Sequence, residues 1–514
     1  MSEYLQTRLP APATKAAPSM WVDEAIWGHR YHDEQNPWLT FLEFLNVFAH
    51  EKDKGRAFDE VNGFNTLSYT PSRRLHLRNL LFNNPKIDVI SEQETSDESL
   101  WKDWQEQLQN VQGAIDPNFE YLRSRFSGPE SFKDFAEIIS LLRSTGLELN
   151  TNKRWSSKFV FPYGVDCLYE DLNKDAKTND RNFFGRTGEM LYLIFCRSAR
   201  KDRVRELLTN HLIFQDSCFN KLARALQPED GETSSSQLKD SFLPYTEHTS
   251  YDALAEDWVA LLELEVPGYD IIPHLVNIAA FHLMQYQLRV ARDIANKIDP
   301  LRMVCEIVAP KKTLVRGLSC DDYQQNNLLS TEAVTAFIDA IEDSDEWKNA
   351  TQLPGAFVNC KNILENQVRW GSDYTGATSP DDLIKTLRED CRRRHKQHVA
   401  NVHRTYGKEI GLISKRGTIR LRYAPNDDFL KCLILANVSK RLELHRFLAL
   451  LWTRYGLIFG DKEAEKVLPS DVFDKKSFQS NARRLEQRLS SLGLVKRLSD
   501  GCAYVLNPHS KSTS

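Results

Sequence analysis

No stretch of this 514-residue sequence approaches the run of about 18 apolar residues that a membrane-spanning helix needs, so no membrane partner is expected. Its nine cysteines are odd in number and never form a Cys-x-x-Cys pair, which speaks against a disulfide framework and a zinc ribbon. The first 20 residues are rich in Pro and Ala and lack an apolar core segment, so no signal peptide is expected. Together these absences predict reduced thiols in a cytoplasmic protein. A Gly-x-Gly-x-x-Gly fingerprint is missing, as is a Gly-Lys-Ser/Thr ending, so neither a dinucleotide fold nor a P-loop is present and no cofactor is expected. No catalytic motif is legible anywhere.

What is present is concentrated at the C-terminal end. Asn426, Asp427 and Asp428 supply capping oxygens for a first helix through Phe429, Leu430, Leu433 and Ile434. A second helix buries Leu444, Phe447, Leu448, Leu451, Trp452 and Tyr455, which recur at helical spacing. A third, capped by Asp474 or Ser477, buries Phe478, Ala482, Leu485, Leu489 and Leu492 and stops at Gly493. Two short strands around Ser499-Asp500-Gly501 form a hairpin. Three helices and a hairpin predict a winged helix-turn-helix over residues 424–508. The third helix is expected to turn Gln479, Ser480, Arg483, Arg484, Gln487 and Arg488 outward, with Lys475 and Lys476 at its start and Lys496 and Arg497 on the wing. Arginine and glutamine match base edges, and lysine and serine match phosphates, so double-stranded DNA is the expected partner. The same surface on a protein-binding winged helix would serve as an adaptor without DNA contact.

Charge is distributed unevenly. Residues 385–422 hold 12 Lys and Arg against 3 Asp and Glu, and residues 423–508 hold 14 against 10. The whole chain stands at -4, which, with Lys511 also counted, leaves the first 384 residues at -18. An acidic body thus carries a basic end, the polarity of a C-terminal nucleic-acid footprint. Arg392, Arg393 and Arg394 are expected to hold phosphates beside the winged helix. A hairpin follows, in which Ile419, Leu421 and Tyr423 alternate with Thr418, Arg420 and Arg422 as a half-buried strand with a basic outer face.

The body reads as helical. Asn36-Pro37 starts a helix through Leu39, Phe41, Leu42, Leu45 and Phe48, and Phe132, Phe135, Ala136, Ile139 and Leu142 line another. His29, His32, Asp33 and Glu34 are the residue types of a metal-dependent hydrolase or nuclease site, although their spacing matches no metal signature and turn contacts, with pairing to Arg30, account for them better. Gly185-Arg186-Thr187-Gly188, with Arg181 and Arg186 adding charge, is arranged to cradle an anion with backbone N–H groups. His274, His282 and Tyr286 lie near one face of a long buried helix, where bonds to neighbouring carbonyls are expected. Residues 301–309 read as a buried strand. Glu306 with Lys311 or Lys312, and Asp299, invites comparison with a nuclease site, but Pro310 breaks the required spacing.

Trp27-Gly28-His29-Arg30, the run 180–192, and Asp427-Asp428-Phe429-Leu430-Lys431 leading to Tyr455-Gly456-Leu457-Ile458-Phe459-Gly460 resemble large accessory subunits encoded in bacterial anti-phage defence operons, including methylation-associated ones. The likeness is patchy and contains no catalytic motif. It implies a subunit that recognises DNA or assembles with other protein subunits, and it supplies no active-site residues. The expected architecture is mainly α with small β elements (α+β), a multidomain helical body with a C-terminal winged helix-turn-helix. The expected divisions are a leader at 1–18, an α-rich domain at 19–227, a linker at 228–237, a second α-rich domain with a small sheet at 238–384, the basic helix and hairpin at 385–423, the winged helix at 424–508 and a tail at 509–514.

Overall fold

Polar side chains start many helices of this chain, and burial of their apolar faces holds them in place. The computed structural model describes residues 22–28, 31, 35–59, 68–69, 75–82, 84, 86–109, 119–144, 166, 186–212, 218–229, 237–238, 242–310, 313–415, 420–499 and 502–510. The protein is mainly helical with small β elements. It opens with α1 (Val22–Trp27) and α2 (Pro37–Asp53). Asn36 caps α2 by accepting a hydrogen bond from the Leu39 N–H at 3.0 Å, and Pro37 occupies the first turn, where its missing N–H is not needed.

The chain then builds a second, separate core. After β1 (Ser68–Tyr69), its elements are α3 (Leu75–Phe82), α4 (Ile87–Ser91), α5 (Asp97–Gln109), α6 (Glu120–Arg125) and α7 (Ser131–Ser144). Trp101 and Trp104 of α5 meet edge to face, with ring centroids 5.7 Å apart, and pack on Phe132 and Phe135 of α7. The chain returns through α8 (Thr187–Cys196), α9 (Lys201–His211) and α10 (Cys218–Ala225), and Ala223 and Leu226 complete that second core. β2 (Gln237–Leu238) pairs antiparallel with β1, so Gln237, the last residue of the expected linker, belongs to a strand.

The main core is assembled by α11 (Thr249–Leu262), α12 (Gly268–Ile294), β3 (Met303–Val304), α13 (Leu314–Glu342), α14 (Asp345–Gln352), α15 (Ala356–Val368), α16 (Pro380–Gln397) and α17 (Val399–Glu409). After the hairpin strands β4 (Ile413–Ser414) and β5 (Arg422–Tyr423) come α18 (Asp427–Asn437), β6 (Arg441–Glu443), α19 (Leu444–Tyr455), β7 (Leu457–Ile458), α20 (Asp461–Ala464), α21 (Lys475–Ser491), β8 (Val495–Ser499) and β9 (Cys502–Leu506). A single apolar cluster runs from Val22 to Val505, so the C-terminal elements share their core with the body. The segment 301–309, expected as one strand, is buried over 303–307 but paired only at Met303 and Val304, in parallel with Leu457 and Ile458 of β7. Gly456 makes that pairing possible: its φ is 73°, and a Cβ there would stand 2.2 Å from the Leu301 carbonyl oxygen.

Candidate nucleic-acid interface

Helix α21 is set by its own sequence. The Asp474 side chain accepts from the Ser477 N–H at 3.0 Å; the Ser477 hydroxyl and then that N–H hold the carboxyl below its ordinary pKa, and Gly493 at φ 73° ends the helix region. Phe478, Asn481, Leu485 and Leu489 are buried. Lys475, Lys476, Gln479, Ser480, Arg483 and Gln487 are exposed on the opposite arc. Behind the helix β8 and β9 pair as a hairpin, and β6 adds to β9, giving the order β6-β9-β8. Lys496 and Arg497 are exposed on β8, with Arg497 3.7 Å from Glu486, and Arg441 stacks over the Tyr504 ring at 5.6 Å.

Three expectations about this surface are corrected. Arg484 and Arg488 do not point outward. At about 100° per residue they lie roughly 100° and 140° round the helix from Arg483, on its flank. Arg484 donates to the Ile307 carbonyl at 3.2 Å, and Arg488 donates to the Asp427 carboxylate and, at 3.0 Å, to the Pro425 carbonyl. Both arginines therefore dock the helix on the body. Leu492 is 41% exposed and does not continue the apolar stripe; Asn481 takes the buried place that the stripe did not mark. Arg422, expected on a basic outer strand face, is 2% exposed and ion-paired with Glu306, while Arg420 is exposed.

Asn481 is the main polar attachment of α21. Its amide donates to the Cys305 carbonyl at 2.9 Å and to the Phe459 carbonyl at 3.0 Å, and its oxygen accepts from the Ile307 N–H at 2.8 Å. Asn481→Leu keeps the number and branching of side-chain heavy atoms but leaves three buried backbone groups unpaired. It is expected to lower stability by about 2–3 kcal/mol, read from the shift in a urea unfolding midpoint; a loss under about 0.5 kcal/mol would contradict the assignment.

Arg392, Arg393 and Arg394 are exposed on α16 but lie far from α21. Phe478 of α21 shares an apolar cluster with Val315 near the start of α13, whereas Arg388 of α16 pairs with Asp339 and Glu342 near its end. Roughly 36 Å of helix, at 1.5 Å per residue, separates Val315 from Asp339. These arginines are a second basic patch and do not continue the first.

The other candidate groups resolve into structural roles where they are described. The N–H groups of Arg186 and Gly188 do cradle an anion, and that anion is the Glu43 carboxylate of α2, at 3.0 and 2.9 Å, joined by the Gln35 amide at 2.6 Å. A Cβ on Gly188 would stand 2.6 Å from α2 atoms, so the glycine serves close helix packing. Glu306 is fully buried between Arg422 and Arg316, the latter at 2.7 Å, which removes it from any nuclease geometry with the exposed Asp299. Lys311 and Lys312 lie outside the described residues, as do Arg181, Gly185, His29, Arg30, His32, Asp33 and Glu34.

His282 bonds the Asp257 carboxylate at 2.7 Å and not a carbonyl; Asp257 also accepts from the Tyr455 hydroxyl at 2.6 Å and pairs with Arg454 at 2.7 Å. Burial outweighs the carboxylate and lowers the His282 pKa. Among the described residues no group of three or more His, Cys, Asp or Glu is placed to hold a metal ion. Two adjoining clefts of about 570 and 240 Å³ flank the 297–301 turn, but Lys297 is paired with Glu332 at 2.9 Å and Arg302 with Asp322 at 3.0 Å. Comparison with models of known protein families finds no match, and neither does comparison with curated protein sequences. The outward arc of α21 and the β8 strand beside it form a basic surface, on which Arg497 is paired and four other cations are not. The side chains of Lys475, Lys476, Arg483 and Lys496 make no hydrogen bond or ion pair among the described residues.

Proposed function

We propose that residues 424–508 form a winged helix-turn-helix and that the protein binds duplex DNA through it, as a DNA-binding and scaffolding subunit of a bacterial anti-phage defence complex. The order α18, β6, α19, α21 and hairpin, interrupted by β7 and the short α20 between α19 and α21, with β6 closing the sheet against β9, supports the winged-helix reading. The observation that carries DNA binding is the uncommitted outward arc: Lys475, Lys476 and Arg483 on α21 and Lys496 on β8, all exposed. A helix of this width fits the major groove, and strand cations beside it reach neighbouring phosphates. Assignment to a defence assembly rests on the patchy resemblance of the sequence. The scaffolding role fits the acidic body, which at -18 over residues 1–384 repels DNA and leaves its surface to protein subunits.

A salt titration of duplex binding by the full-length protein tests the proposal. Three phosphate contacts, by Lys475, Lys476 and Lys496, predict affinity falling roughly 40-fold between 50 and 200 mM salt. Reversal of Lys475, Lys476, Arg483 and Lys496 to Glu should abolish binding while leaving the unfolding midpoint unchanged, because these side chains anchor nothing. Arg484 and Arg488 are left intact in this variant, since changing them would undock α21. Absence of binding by the unaltered protein at 50 mM salt would overturn the proposal in favour of a protein-binding adaptor.

A further inference from the structure

Three outward side chains of α21 stand one turn apart along a line: Gln479, Arg483 and Gln487, at i, i+4 and i+8. Successive members are about 6 Å apart along the axis at 1.5 Å per residue. Base pairs of B-DNA stack every ~3.4 Å, so the line spans roughly four to five of them, with one side chain for every one or two pairs. The three groups differ in chemistry. A guanidinium donates two parallel hydrogen bonds to O6 and N7 of guanine, whereas a primary amide donates to N7 and accepts from N6 of adenine.

The surroundings leave those groups in the required state. The Gln479 amide donates one proton to the Asp461 carboxylate of α20 at 3.1 Å. Its second proton and its carbonyl oxygen remain, the pair that adenine recognition uses. Arg483 makes no hydrogen bond or ion pair among the described residues, so its planar fork stays whole. Lys475 and Lys476 stand at the start of the same arc and Lys496 on β8, as point charges suited to phosphates.

We infer that this face reads base sequence directly, with Arg483 on a guanine and Gln479 and Gln487 on adenines within two base pairs to either side. The inference rests on the duplex-binding proposal above. A surface that only neutralised phosphates would need no amides in line with its arginine. The amide, guanidinium, amide alternation carries sequence information that charge alone does not.

The experiment uses full-length protein and a random duplex library at about 0.15 M salt, followed by duplexes with single base changes in the enriched core. Enrichment of an adenine, guanine, adenine core within four to five base pairs is expected, and replacing the guanine should weaken binding roughly 5- to 150-fold. Arg483→Lys keeps the charge and sits on an exposed position, so it should retain the salt dependence and lose the guanine preference. Gln487→Ala should lose the preference for adenine on one side only. Binding that depends on salt but is blind to sequence would overturn this inference and leave duplex binding standing. Failure to bind any duplex would overturn both.

Discussion

Stability is expected to fall steeply between pH 6.5 and pH 4, by up to about 1.4 kcal/mol per pH unit for each imidazole that burial keeps neutral. His248, His395 and His403 are buried, and loss of water pushes their imidazoles down to about 3, about 4 and about 3, with Arg289 adding to the effect on His248. In the unfolded chain each titrates near 6.5. Below that pH the unfolded state therefore binds protons that the folded state refuses, at these three rings and at His274 and His282, which burial also lowers, and the folded state loses about 1.4 kcal/mol per imidazole for each pH unit. The loss ends where pH reaches the folded values. Burial raises the Asp293, Asp322 and Glu463 carboxyls, and these act with the opposite sign, favouring the folded state at the acid end of the range. Urea midpoints measured from pH 7 to pH 4.5 should trace the slope. His395→Leu should flatten it by about 1.4 kcal/mol per pH unit, since its Nε2 has no hydrogen-bond partner among the described residues. Equal stability at pH 7 and pH 5 would refute the account.

Glu306→Ala is expected to cost about 3–5 kcal/mol, the largest effect of any single substitution proposed for this chain. Glu306 is inaccessible and joins three parts of the fold: its own segment after β3, Arg316 of α13 and Arg422 of β5. Arg316 has a second acceptor in the Ala309 carbonyl, at 2.8 Å. Arg422 is 2% exposed, and removal of the carboxylate would strand its charge in the interior. Glu306→Gln keeps an acceptor and the side-chain volume, so it should fall between the two. Guanidinium unfolding of the three proteins provides the measurement, and a loss under 1 kcal/mol for Glu306→Ala would show that water reaches Arg422. The residue that most resembled a nuclease carboxylate in the sequence is thus a structural joint.

Much of the C-terminal architecture was legible before the fold. Asn426 and Asp474 cap α18 and α21 by accepting from the N–H three residues on, as local capping chemistry requires. The hairpin of β8 and β9 follows its turn signal. Besides Arg488 and Leu492, the helix positions whose surroundings were not legible are Arg484 and Asn481, polar residues on its flank and buried face. Polarity suggests solvent unless partners are known, and their partners are the carbonyls of residues 305, 307 and 459. The one signal available was position: Asn481 falls three residues after Phe478 and four before Leu485, inside the apolar stripe.

The same division holds for the whole protein. Helices, caps, turns and the basic outward arc of α21 follow from periodicity and local hydrogen bonding, which act over a few residues and are written in the sequence. Which cations meet solvent and which meet carboxylates was decided by contacts between residues more than a hundred positions apart, such as Glu306 with Arg422 and Glu43 with Gly188. The need to pair every buried charge and backbone N–H selects those partners, and that need exists only once the chain has closed around them.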